Sequence, residues 1–265
     1  MGMTSALLSY LLAALVAGAS LAGVAARSVY ALEKPLWAAQ GVGQDFANLG
    51  VVLPTLIVAT QLAQKGSARA LLVWAGVLLY LVYSYLLYAF FVHFGPLFPV
   101  YVAILGLAFY LFCASLLGVD LERAARSFAD RTPIRLAAGL LIACGAAFFA
   151  LWGSEVLRAL LDGTPPAGVV ESGLPVNPVH VLDLALLLPG LVLTGILLLR
   201  GRPLGYFLAP VLLVTLVMLG CAVLAMAVVM ILRGFPPPLA MMATVGSTTV
   251  LSGAVAGLFL FGLRQ

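Results

Sequence analysis

The sequence predicts an all-α protein, a polytopic bundle of about eight transmembrane helices. Hydrophobic residues make up 64% of the 265 residues, and only 8% are charged. The apolar residues form several runs of about 20, the length that crosses about 30 Å of hydrocarbon. These observations predict an integral membrane protein in contact with the lipid bilayer over most of its surface.

Charged residues and Gly/Pro clusters divide the apolar sequence into eight segments. We expect the spans at 5–26, 47–64, 69–92, 97–117, 134–158, 180–199, 204–232 and 238–262. The fifth and seventh are longer than a bilayer requires, so we expect them to tilt or to extend beyond it. The first span ends in small residues that resemble a signal-peptide cleavage region, but it lacks a preceding positive segment. Retention is the expectation, and cleavage stays an open alternative.

The spans divide the chain into three regions. The first transmembrane half is 1–118, a cytoplasmic linker covers 119–133, and the second half is 134–265. Within the linker, Leu121, Ala124, Ala125 and Phe128 fall on one helical face. This spacing is consistent with a short helix at the lipid headgroups, and a plain linker that only sets topology is the alternative.

A polar pattern occurs once in each half with the same spacing. The first copy consists of Asp45, Asn48, Pro54 and Lys65-Gly66, and the second, 135 positions later, consists of His180, Asp183, Pro189 and Arg200-Gly201. The equal spacing suggests an internal repeat, although matches also arise by chance in a leucine-rich chain. Because each half has four crossings, the two copies would lie parallel, related by a pseudo-two-fold axis along the bilayer normal.

Basic residues predict the orientation, since Lys and Arg of short loops stay in the cytoplasm. With both termini inside, nine basic residues are cytoplasmic and four are outside. The inner set is Lys65, Arg69, Arg123, Arg126, Arg131, Arg135, Arg200, Arg202 and Arg264, and the outer set is Arg27, Lys34, Arg158 and Arg233. We therefore predict a bacterial-type plasma membrane (inner membrane) protein with both termini cytoplasmic. The net charge of +4 then reflects this topology and anionic lipid heads, and we expect no nucleic-acid partner.

The candidate substrate- or ion-binding residues lie near the predicted outer ends of the second to sixth spans. They are Asp45, Asn48, His93, Tyr101, Glu155, His180 and Asp183. Ionisable groups at membrane depth are costly and face protein or water, so they indicate a functional site. Helix capping is the alternative for Asp45 and Asp183, which lie at the predicted N-termini of the second and sixth spans. For Glu155 the alternative is a local ion pair with Arg158.

Metal binding has weaker support. His93 and His180 are the only histidines, and with Asp45 and Asp183 they would form a ligand set acceptable to zinc. No HxxxH or HxxE spacing supports such a site, so we predict no metal and no cofactor. The three cysteines lie singly in apolar spans, which is typical of small buried residues.

The third span carries a hydroxyl stripe. Tyr80, Ser84 and Tyr88 follow one another at four-residue intervals, so they share one face of the helix. Two interpretations stay open: a polar path toward the outer site, or aromatic packing with each hydroxyl satisfied by a neighbouring helix. Pro54 and Pro189 would interrupt their helices in mid-span, as at many transporter sites but also in ordinary kinks.

These features favour three classes of function. The sequence contains no nucleotide-binding loop, GxSxG, HExxH or CxxC motif, so familiar energy-coupling and redox chemistries lack their residues. The first class is a small transporter or solute-binding membrane protein in which Asp45 and Asp183 hold a cation or proton, His180 tunes the site and Asn48 orients a small solute. The second is an intramembrane enzyme acting on a lipid or lipid-linked substrate at the outer leaflet. The third is a structural or accessory subunit of a homo-oligomer or membrane complex.

Overall fold

A computed structural model describes residues 1–128 and 132–263 of the chain. Its ten α-helices within these residues are α1 Met3–Ala25, α2 Pro35–Gln64, α3 Ala68–Phe91, α4 Phe98–Leu117, α5 Leu121–Arg126, α6 Ile134–Asp162, α7 Ala167–Ser172, α8 Pro178–Leu199, α9 Pro203–Leu232 and α10 Leu239–Phe261. All except α5 and α7 are long and apolar enough to cross a membrane. The prediction of an all-α integral membrane protein with eight spans is therefore confirmed. Arg131 and Arg264, which we assigned to the cytoplasmic side, lie outside the described residues.

Two predicted boundaries on the candidate-site side of the bundle are wrong. Helix α2 begins at Pro35, whereas the sequence analysis placed residues 27–46 in a loop. The early turns of α2 contain Gln40, Gln44 and Asp45, which interrupt the apolar run that we used to place the span. The fifth span was predicted to end at 158 and the sixth to begin at 180, but α6 continues to Asp162 and the short helix α7 lies between the two spans.

Helices α3 and α9 form the centre of the bundle and pack against each other. In the first half, α1 and α3 each pack on α2 and α4. In the second half, α6 and α9 each pack on α8 and α10. The helix pairs thus correspond between the halves. The halves differ at their junction, because α2 packs extensively on α9 whereas α3 meets only the beginning of α8. The internal repeat itself stays a prediction.

Helices α2 and α8 each contain one π-helical turn. The turns cover Asn48–Val52 and Asp183–Leu187, and each ends two residues before the mid-span proline. The Leu53 N–H bonds the Asn48 carbonyl, and the Leu188 N–H bonds the Asp183 carbonyl. Proline has no N–H to continue the α-helical ladder, and a widened turn is a common way to accommodate that interruption.

The basic residue and glycine of each polar pattern form the C-terminal end of a helix. Gly66 and Gly201 have φ values of 90° and 66°, the left-handed conformation that glycine adopts without strain. The Ser67 N–H reaches back to the Leu62 carbonyl, and the Arg202 N–H to the Leu197 carbonyl. This pattern is a Schellman motif in both helices, so these residues terminate helices and lie away from the candidate site.

Side-chain contacts link the loops at each end of the bundle. At one end, Lys34 Nζ donates to the Val170 carbonyl at 2.9 Å. We call this end, where α2 and α8 begin and α3 finishes, the outer end, after its predicted orientation. At the opposite end, Arg69 donates to the Leu263 carbonyl at 2.8 Å. Phe128 is buried there with its ring centroid 4.9 Å from that of Phe259. Its ring packs against the bundle, whereas the apolar face of an interfacial linker helix would enter the lipid.

Candidate functional site

The predicted site residues form two groups near the outer end. The first cluster is built around Asp45 and Asn48 of α2, and the second around His180 and Asp183 of α8. Helix α3 lies between them and contributes side chains to both. His93 belongs to neither group.

Asp45 is the centre of the first cluster and is almost fully buried, with 2% of its surface exposed. Its Oδ2 accepts a hydrogen bond from the Tyr30 hydroxyl at 2.6 Å, and its Oδ1 accepts one from the Tyr88 hydroxyl at 3.1 Å. Burial and the neighbouring carboxylate raise the pKa of Tyr30 above its ordinary value, so this phenol stays protonated and donates. Among the residues that the structure describes, no Lys, Arg or His forms an ion pair with Asp45.

Asn48 and Gln44 extend this network along α2. The Tyr80 hydroxyl donates to Asn48 Oδ1 at 3.0 Å, and Asn48 Nδ2 donates to Ser20 Oγ at 3.2 Å. Gln44 Nε2 donates to the oxygens of Tyr80 and Ser84 at 2.7 and 2.9 Å. The hydroxyl stripe of α3 therefore packs against the polar face of α2, with each of its hydroxyl groups hydrogen bonded there.

Tyr101 of α4 completes the wall of the first cluster by packing. Its ring centroid lies 5.0 Å from that of Tyr88 and 6.1 Å from that of Tyr85. No hydrogen bond joins Tyr101 to Asp45 in the described part of the chain. The ring therefore supports the position of Tyr88, which in turn holds the carboxylate.

The second cluster holds Asp183 between two neutral donors. Asp183 Oδ1 accepts from the Tyr83 hydroxyl at 2.8 Å, and Oδ2 accepts from Trp152 Nε1 at 2.9 Å. The indole of Trp152 also lies against the His180 ring, with centroids 4.8 Å apart. His180 is buried, and its Nε2 is 3.6 Å from Oε2 of the half-exposed Glu155.

The alternative explanations for three of these acidic residues fail in the structure. Asp45 lies well inside α2, which begins at Pro35, and Asp183 lies beyond the first turn of α8. The N-terminus of α8 is capped by Asn177, whose Oδ1 accepts from the Val179 and His180 amides. The alternative of a local ion pair between Glu155 and Arg158 is not found either, because Glu155 faces His180 and the Arg158 guanidinium donates to Ser154 Oγ at 3.3 Å.

His93 lies apart, in the loop that follows α3. Glu33 Oε1 accepts from the His93 backbone N–H at 2.8 Å and lies 3.0 Å from its Nδ1. This contact joins two outer loops. Across residues 1–128 and 132–263, no three His, Cys, Asp or Glu side chains converge as a metal site would need, so the two histidines and two aspartates do not meet as the zinc alternative required.

A small cavity of about 80 Å³ adjoins the first cluster. Its polar and aromatic lining is Tyr30, Trp37, Gln40, Gln44, Ser84 and Tyr88, and its apolar lining includes Leu87, Val92, Val179 and Met226. Val179 and Met226 belong to the second half of the chain. The cavity therefore lies where the two halves meet.

A larger open groove of about 360 Å³ adjoins the second cluster. It lies between the end of α6 and the following loop, and its charged lining consists of Glu155, Arg158 and Asp162. Of the paired His180 and Glu155, it is therefore the Glu155 side chain that reaches the surface.

Several side chains that complete these clusters were not among the predicted site residues. Tyr30, Gln44 and Ser20 hold the first cluster, while Tyr83 and Trp152 hold Asp183. Gln40 and Gln44 in α2 could have indicated these contacts. A polar residue on a membrane helix is normally hydrogen bonded to a neighbouring helix.

Helix α3 contributes to both clusters from two faces. Tyr88 bonds Asp45 and Tyr80 bonds Asn48, while Tyr83 bonds Asp183. The corresponding helix of the second half, α9, carries Tyr206 but no tyrosine near its outer end.

The chain was compared with family models, curated proteins and solved structures. No family model matches it, and no curated protein or solved structure matches it either.

Proposed function

We propose that this protein is a small membrane transporter or solute-binding membrane protein whose site lies at the outer end, between the two halves. The observation that carries the proposal is the environment of Asp45. A carboxylate buried in a membrane helix costs several kcal/mol unless a charge compensates for it. Asp45 is held only by neutral phenols, and both of these phenols line a cavity. A cation or a proton that enters from the outer end would supply the missing charge.

The other residues have supporting roles in this proposal. Asn48 engages Ser20 and Tyr80 and so positions the α2 and α3 surfaces beside Asp45. Asp183 forms a second carboxylate site, which His180 tunes through its contact with Trp152 and its pairing with Glu155. The π turns of α2 and α8 begin at Asn48 and Asp183, and interruptions of this kind are common in transporter helices near the binding site.

The test is flux into liposomes that contain the purified protein. We expect protein-dependent entry of protons, radioactive sodium or radiolabelled methylammonium, measured separately, and we expect Asp45→Asn to abolish it. Glu171→Gln removes an exposed carboxylate of α7 at the same end and should leave the flux unchanged. Flux that persists in Asp45→Asn would overturn the role of Asp45, and no flux of any of the three cations would overturn transport.

A membrane enzyme is the second candidate, favoured by the pairing of His180 with Glu155 beside the open groove. Such a pair can act as acid and base on a lipid headgroup at the outer leaflet. Turnover of radiolabelled phospholipids in bicelles, lost in His180→Gln, would support it. Absence of turnover by the intact protein would leave the transporter proposal as the better explanation.

A further inference from the structure

The cavity beside the first cluster has a lining that defines a chemical class of ligand. None of the described residues around it is charged, and three of them are aromatic: Tyr30, Trp37 and Tyr88. One buried water needs about 10–15 Å³ of such space, so a cavity of about 80 Å³ has room for several waters or a small organic molecule.

Four side chains of this lining, Tyr30, Tyr88, Gln44 and Gln40, already donate hydrogen bonds to other parts of the protein. Both Tyr30 and Tyr88 direct their protons to Asp45. Gln44 donates through its amide nitrogen to Tyr80 and Ser84, and Gln40 donates to Met230 Sδ at 3.8 Å. Apart from one N–H of Gln40, the remaining capacity of these four side chains lies in acceptors, namely the two amide oxygens and the phenol oxygens.

The electrostatics of the wall favour a positive ligand. The aromatic faces carry partial negative charge and attract ammonium groups. Behind the two phenols, the Asp45 carboxylate adds a negative charge, and a phenol that donates to a carboxylate becomes a stronger acceptor through cooperative polarisation. A ligand with several N–H donors and a positive charge therefore complements this surface.

The apolar part of the lining would contact a short alkyl group of the ligand. Leu87, Val92, Val179 and Met226 close the remaining side with apolar side chains. We infer that the cavity binds a small protonated amine of the methylammonium type, an inference that rests on the proposed function and names its substrate class.

The experiment is calorimetric titration of the detergent-solubilised protein with methylammonium chloride, with sodium chloride as the reference. We expect saturable binding of methylammonium and of ammonium. Tetramethylammonium, which is positively charged but has no N–H, should bind at least about tenfold more weakly, because the free acceptors would be left unpaired. Equal binding of tetramethylammonium would overturn the assignment of the acceptors.

Single substitutions test whether methylammonium binds in this cavity. Asp45→Asn and Tyr88→Phe should each lower methylammonium affinity by about tenfold or more, the effect expected on removing a charge-assisted partner. Tyr88→Phe keeps the carboxylate and the ring, so it stays informative if Asp45→Asn fails to fold. Tyr110→Phe, at an exposed tyrosine of α4, is the matched control and should leave the affinity unchanged.

The outcomes for this inference and for the proposed function are distinguishable. Proton or sodium flux that depends on Asp45, with no methylammonium binding, would sustain the transporter and overturn the amine. Methylammonium binding that depends on Asp45, with no flux of any cation, would sustain the amine site and overturn transport. Absence of saturable binding to the folded wild-type protein would overturn this inference outright.

Discussion

At the scale of single residues, the Asp45 carboxylate depends on the glycine opposite it. A Cβ built on Gly23 of α1 would overlap the Asp45 carboxyl group and lie 3.0 Å from the Tyr30 hydroxyl. Only a residue without a side chain allows both partners to occupy this position. Gly23 thus sets how closely α1 approaches the first cluster.

We therefore expect Gly23→Ala to displace Asp45 and to destabilise the protein by about 1–3 kcal/mol, the usual effect of overpacking. Thermal unfolding in detergent would measure the change, and cation flux in liposomes should fall with it. Gly18→Ala on the same helix meets nothing within 4 Å and is the control, neutral or slightly stabilising. Equal melting of the two variants would contradict the role of Gly23.

The sequence could indicate which acidic residues matter but could not identify their partners. Asp45, His180, Asp183 and Glu155 stand out because ionisable residues are rare in apolar spans. Tyr30 and Tyr83 do not stand out, since a tyrosine near a helix end is as typical of an interface anchor. Their roles depend on the distance between helices, which no local pattern in one chain specifies.

At the scale of helices, α2 and α9 approach each other closely where the two halves meet. A Cβ at Gly43 would collide with the backbone of Met226 and lie 2.9 Å from the Ala225 carbonyl. Backbone atoms cannot rotate away as the end of a side chain can. Gly43 lies two residues before Asp45, so this crossing also fixes the height of the first cluster.

We expect Gly43→Ala to separate α2 from α9 and to cost about 1–3 kcal/mol of stability. The fluorescence-monitored melting temperature in detergent should fall, and methylammonium affinity should fall because Met226 lines the cavity. Gly106→Ala, at an open position of α4, provides the comparison and should leave both quantities unchanged. A normal melting temperature in Gly43→Ala would show that the crossing tolerates a side chain.

Helix positions were predictable where apolar residues are continuous, and less so where polar residues belong to the membrane helix. Helix α3 was expected at 69–92 and is found at Ala68–Phe91, because charged or turn-forming residues bound it on both sides. Helix α2 was placed too late because Gln44 and Asp45 resemble loop residues until their partners on α1 and α3 are known. The π turns were indicated only by their prolines.

At the scale of the whole molecule, the positive-inside rule makes a prediction about sidedness that labelling can test. Replacing the three native cysteines with alanine provides a background for single introduced cysteines at Asp120 and Glu171. A membrane-impermeant maleimide should label Glu171→Cys in intact cells, and Asp120→Cys only after the membrane is opened. The reverse labelling pattern would show that the bundle has the opposite orientation, and the cavity would then be reached from the other side of the membrane.

Several backbone features recur in the two halves of the bundle, in addition to the corresponding helix pairs. The π turns, the Schellman motifs and the starts of α3 and α9 all recur at the same 135-residue spacing, as from Ala68 to Pro203. The polar partners do not recur, because tyrosines of α3 serve both clusters. The predicted duplication thus concerns backbone geometry, and the chemistry of the two clusters differs.

The shared helix has a thermodynamic consequence. Tyr88 and Tyr83 lie on opposite sides of α3 and hold Asp45 and Asp183, respectively. A ligand that turns or lifts α3 at one cluster changes the hydrogen bond at the other, and linkage then requires the effect to be reciprocal. If occupancy of the first cluster weakens the second by some factor, occupancy of the second weakens the first by the same factor. One transmembrane helix would then make two distant carboxylates a cooperative pair.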